Sequence, residues 1–62
     1  MTKEDALWDV MDATRETARA KQSGLTDLSE YKTAWRNAVQ VARELGATQQ
    51  EISQEEREGQ SW

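Results

Sequence analysis

The residue types that most often carry chemistry are thinly represented in this chain. None of its 62 residues is a histidine or a cysteine, which excludes imidazole bases, thiolate nucleophiles, disulfides and the ordinary zinc sites. A nucleophile would have to be a serine, threonine, lysine or carboxylate, held beside a base in a pocket. Carboxylates are plentiful, and Asp5, Asp9, Asp12 and Glu16 recur at helical spacing. Such a row can serve as a cation site, as a phosphate-mimicking surface, or as a solvated face. A row does not surround a point, however, and a hard cation wants oxygens converging from several directions. The expectation is a solvated acidic face, with no catalytic residue, no metal, no cofactor and no enzymatic activity.

The cations make a second pattern. Lys32, Arg36 and Arg43 share one face of the second half, and Arg15 and Arg19 stand in the first. One reading pairs them across a helical hairpin, Asp9 with Arg43 and Glu16 with Arg36, each pair contributing about 0.2 to 1 kcal/mol. The other reading is a basic strip that meets a phosphate or an acidic partner. The formal charge of -4 opposes non-specific attraction to polyphosphate or anionic membrane without forbidding a local basic patch. Most of that acidity lies after Thr48, in Glu51, Glu55, Glu56 and Glu58 against Arg57, so the preceding part is close to neutral.

The elements that must position these groups are helices. Proline is absent, there are only three glycines, and alanines are spread throughout, a composition of high helix propensity that permits close helix approach. Thr2 can cap a first helix, with Glu4 and Asp5 complementing its positive end. Apolar or small positions at Leu7, Val10, Met11, Thr14 and Ala18 carry it to about Gln22, where Ser23-Gly24 ends it. After candidate caps at Thr26, Asp27 and Ser29, the positions Leu28, Tyr31, Trp35, Ala38, Ala42 and Leu45 form a heptad-like seam that stops at Gly46. Thr48-Gln49-Gln50-Glu51 reads as a capping box for a short third helix of about two turns, docked through Ala47 and Ile52. Gly59 is read as a break. Tyr31 and Trp35 are expected in the core, and Trp62 as mobile or held by a partner.

The apolar face exceeds what one facing helix can cover. Trp8 stands off the seam, where it either covers the open end of the hairpin or makes an intermolecular contact, and Trp8, Met11, Val39 and Val41 together form the expected partner-binding surface.

From Ala38 to Ser53 the run Ala-Val-Gln-Val-Ala-Arg-Glu-Leu-Gly-Ala-Thr-Gln-Gln-Glu-Ile-Ser resembles a stretch of bacterial and phage helix-turn-helix proteins. The resemblance covers about a quarter of the chain and implies a truncated scaffold of bacterial or phage origin. A turn and a basic recognition helix should follow in that family. Here the positions read Gln54-Glu55-Glu56-Arg57-Glu58-Gly59, so the resemblance carries no DNA-reading residues.

These readings converge on an all-α protein, an antiparallel helical hairpin with a short third C-terminal helix. Residues 1–53 form the packed part and 54–62 a flexible acidic tail. No secretory signal or membrane span is legible, and the expected location is cytoplasmic. The expected function is a small regulatory interaction module, self-associating as a homodimer or docking its apolar face on a larger protein. The alternative is a nucleic-acid-binding accessory protein using Arg15, Arg19, Lys32, Arg36 and Arg43.

Overall fold

The computed structural model describes residues 1–61 and contains three helices, α1 (Lys3–Gln22), α2 (Ser29–Glu44) and α3 (Gln49–Gln60). The expected all-α class and helical hairpin hold. Each boundary has a local cause. At the start of α1 the Thr2 hydroxyl accepts from the Asp5 amide at 3.2 Å and the Thr2 amide donates to the Asp5 carboxylate at 3.4 Å, a reciprocal cap. The same box opens α3 between Thr48 and Glu51, at 3.2 and 2.9 Å. Helix α2 begins without a side-chain cap of that kind: Asp27 instead accepts from the amide and hydroxyl of Ser29, at 3.1 and 2.5 Å.

Two glycines close the first two helices. Gly24 and Gly46 have φ of +86° and +97°, a conformation that costs any residue with a Cβ. At each, the glycine amide and the next amide bond back into the last helical turn. Gly24 and Leu25 donate to the carbonyls of Lys21 and Ala20, and Gly46 and Ala47 to those of Arg43 and Ala42.

Helix α1 is central, antiparallel to α2 and parallel to α3. Lys3 pairs with Glu51 at 3.1 Å near the start of both α1 and α3, and Gly59, near the end of α3, lies against Met11, Thr14 and Arg15. The core sits toward the Gly46 turn, where Ala6, Leu7, Val10, Ala42 and Ile52 are buried and Ala38, Val39 and Ala47 pack against them. Helix α1 packs extensively on both neighbours, whereas α2 and α3 touch sparsely. The bundle is closed at one end and parted at the other.

The third helix corrects two expectations. It runs twelve residues to Gln60, so the boundary at 53/54 and the flexible tail over 54–62 do not describe residues 54–60; the expectation for Trp62 lies outside the described residues. Gly59 is the reason. It is helical and buried, not a break, and a Cβ built on it would stand 2.6 Å from the Met11 carbonyl oxygen and 2.8 Å from the Thr14 Cβ. Lacking a side chain, Gly59 lets α3 rest on the backbone of α1. The helix also continues where the helix-turn-helix resemblance requires a turn.

Candidate groove between the second and third helices

Where α2 and α3 part, a groove of about 340 Å³ opens, floored by the second half of α1. Thr14, Thr17 and Ala18 form the floor, with Lys21 at its end. Lys32, Trp35 and Arg36 rise from α2 on one side, and Glu56 and Gln60 from α3 on the other. The cause of the opening is in the sequence of the walls. Near the Gly46 turn the facing residues are Val39, Ala42 and Ile52, which bury one another. One or two turns further out the facing residues are long, polar or charged, and closing them together would strip water from ions without a full set of partners.

The floor is short of donors. The Thr14 hydroxyl donates to the Val10 carbonyl and the Thr17 hydroxyl to the Ala13 carbonyl, both at 2.8 Å. Each threonine has committed its one proton to its own helix. What the groove offers is a largely apolar floor, one indole wall and a cationic rim. Among the described residues, Lys21, Lys32 and Arg36 stand against Glu56 as the one carboxylate lining it. Among the described residues the ion pairs are Lys3 with Glu51 and Arg15 with Asp12, neither of which involves these three cations.

The expected site residues are not brought together. Met11 is 3% exposed and Val39 is half-buried against the core, so both are structural. A free surface at these positions requires that a single helix face them, and α3 is a second. Trp8 and Val41 remain exposed, at 57% and 38%. They belong to different faces: Val41 borders a broad, shallow depression between α1 and α2 that is edged by Asp9, Asp12 and Glu16, and Trp8 does not.

The basic strip also divides. Lys32 and Arg36 line the groove, Arg43 donates to the Gln49 side chain at 2.6 Å, Arg15 is half-buried and paired with Asp12, and Arg19 is exposed on α1. The expected pairs Asp9 with Arg43 and Glu16 with Arg36 do not occur among the described residues. Arg36 and Arg43 turn to the α3 side of α2, while Asp9 and Glu16 edge the opposite side of the α1–α2 contact. Tyr31 and Trp35 are half-buried and border the two openings instead of filling the core. At the level of Trp35, α3 supplies Glu56 and Gln60 and no large apolar side chain to cover an indole.

Two charged groove residues, Lys21 and Glu56, are not singled out by sequence reasoning. Lys21 has no site role on sequence grounds, and Glu56 falls in the stretch expected to be a flexible tail. Both carry a 3-4 spacing signal, Lys21 from Thr14 and Thr17 and Glu56 from Ile52 and Gly59.

Among the described residues three carboxylates have displaced acidities. Ser29 holds Asp27 below the ordinary carboxylate range through its hydroxyl and amide. The Thr48 amide, with Lys3 beside it, does the same for Glu51. Burial, together with the nearby Glu58, pushes Glu55 upward. None of the three lines the groove. Among the described residues no three carboxylates are grouped so as to hold a metal ion, and no helix is long and apolar enough to cross a membrane.

The class defined by this geometry is a three-helix bundle with one open end. Compared with protein-family profiles, with curated proteins and with solved structures, the chain matches none.

Proposed function

We propose that this protein is a non-enzymatic interaction module that docks on a partner protein, and that the groove between α2 and α3 is the docking surface. The observation that carries this reading is the groove itself: a mostly apolar concavity walled by three helices and left open by a fold that closes tightly at its other end. Binding is favoured over catalysis because general acid–base chemistry needs a base within reach of its proton. Among the described residues Glu56 stands as the one carboxylate in the lining, among cations and an amide. A volume of about 340 Å³ is near the lower limit of small-molecule pockets, and the open rim suits side chains of a larger partner.

The test is to pan the folded protein against a displayed library of helical peptides unbiased in charge, then map the selected peptides by amide chemical shifts. Shifts centred on Thr17, Ala18 and Trp35 are expected. If nothing is enriched, or if the selected peptides shift other faces, the docking reading fails.

A second reading, a nucleic-acid accessory protein, draws on Lys21, Lys32 and Arg36, which share the rim without an ion pair among the described residues. Affinity for duplex DNA that falls steeply with salt would favour it. No binding at low salt removes it.

A further inference from the structure

The rim of the groove carries a sign, and with it a choice of partner. From this we infer that the groove takes a short acidic segment of another protein, one that sets one or two large apolar side chains on the floor and carboxylates against Lys21, Lys32 and Arg36. The inference rests on the docking reading above and narrows it. Charge complementarity is its basis. Lys32 and Arg36 on the α2 wall and Lys21 at the end of the floor give the lining three cations, against Glu56 on the opposite wall as its one carboxylate among the described residues, in a chain whose overall charge is -4. Cations gathered against the net charge of a small protein give local attraction within about a Debye length, roughly 8 to 10 Å, while the more distant field stays negative.

The size of the opening fits a segment and not a duplex. The floor runs from Thr14 to Lys21 on α1, about 10 Å at the helical rise per residue. That length accommodates about two turns of helix or a few extended residues. The floor also discriminates by chemistry. Thr14 and Thr17 have spent their protons on Val10 and Ala13, so a base edge laid on them would find no threonine donor, whereas an aliphatic or aromatic side chain needs none. Trp35 supplies the wall against which such a side chain packs.

The experiment compares three synthetic amphipathic peptides of one apolar pattern, flanked by Glu, by Gln or by Lys, and a single-stranded and a duplex oligonucleotide, by calorimetry with amide-shift mapping. Two double variants of equal charge change accompany them: Lys32→Glu with Arg36→Glu in the groove, and Arg19→Glu with Arg57→Glu on exposed positions outside it. Circular dichroism checks that both remain folded. The expected result is that the Glu peptide binds in the groove, weakens as salt rises, loses about tenfold or more in affinity in the groove variant, and changes little in the control variant.

If the Gln or Lys peptide binds the same residues as tightly, the acidic preference is overturned while docking in the groove stands. If none of the peptides binds anywhere, both fall. Oligonucleotide binding tighter than the Glu peptide at physiological salt overturns the inference in favour of nucleic acid. Dilution-dependent shifts at Ala18 and Trp35 in the protein alone overturn it in favour of a second copy of the chain.

Discussion

Replacing Gly59 with alanine tests whether α3 closes on α1, because two readings of that residue predict opposite signs. In a helix that faces water, Gly→Ala is stabilising by up to about 1 kcal/mol, since glycine surrenders more backbone freedom on folding. In this fold the added Cβ would lie 2.6 Å from the Met11 carbonyl oxygen, 2.8 Å from the Thr14 Cβ and 3.2 Å from the Arg15 amide nitrogen. Ordinary carbon contacts begin near 3.5 Å, so α3 would have to withdraw by up to about 1 Å. Two of those three atoms belong to the α1 backbone, which cannot rotate out of the way. Overpacking of this kind costs about 1 to 3 kcal/mol. Since Gly59 is the penultimate residue of its helix, only part of the propensity gain is realised.

The net expectation is a loss of about 1 to 2 kcal/mol, which in a domain of this size lowers Tm by roughly 5 to 15 °C. Far-UV circular dichroism during thermal unfolding measures it, with Gln54→Ala, at an exposed position of the same helix, expected to stay within about 0.5 kcal/mol of the parent. A Gly59→Ala protein whose Tm is unchanged or higher would refute the close contact, and with it the α3 wall of the groove.

Met11→Ala should cost about 2 to 4 kcal/mol because the side chain is 3% exposed, while Trp8→Ala, at 57% exposure, should cost under about 1 kcal/mol; equal losses in urea titrations would contradict their separation into core and surface. Gly46→Ala places a Cβ at φ +97° and should destabilise by about 1 to 2 kcal/mol, and a neutral effect would mean that the second turn differs from the one described. Acidity gives opposite signs at two glutamates of α3. The folded-state depression at Glu51 contributes stability at neutral pH that is lost as pH falls through and below the ordinary glutamate range, so Glu51→Gln should lower neutral stability and flatten that loss. At Glu55 the folded state takes up its proton more readily than the unfolded chain, so its contribution falls as pH rises through the window above the ordinary range. Glu55→Gln should therefore stabilise at neutral pH, and urea midpoints that move the other way would refute the assignment.

The features legible in the sequence are those settled within a few residues. Thr2 and Thr48 announce their helices because the partner in each cap is three positions away. Gly24 and Gly46 announce the ends because the chain must turn left-handed there whatever packs on it. Gly59 looks the same on paper, yet its role depends on an α1 backbone more than forty positions away. Met11 and Val39 were misplaced for a related reason. An apolar stripe shows that a residue is covered, not which helix covers it, and the weight of α3 is hard to see when Ile52 is its one large aliphatic side chain. The groove is half legible: Lys32 and Arg36 stand out as a pair, but their conjunction with Lys21, Trp35 and Glu56 depends on α2 and α3 parting beyond the core at the Gly46 end, which neither helix shows alone.

The parting of α2 from α3 links stability to the proposed docking. The buried aliphatic residues of all three helices gather near the Gly46 turn, and a chain of this size has little stability in reserve, on the order of 3 to 9 kcal/mol. At the open end the facing side chains are cations, an indole, a carboxylate and an amide, a set that resists burial and contributes little to folding. Apolar residues at Lys32 and Glu56 would close the bundle and strengthen it, at the expense of the concavity. A partner segment seated there would stand in for the missing core at this end, and since it binds only the folded chain its binding free energy adds to folding stability through mass action. Under the proposed docking, a ligand touching Lys32 and Glu56 at once would link two helices that otherwise touch sparsely, and its binding would report on how α2 and α3 are coupled at that end.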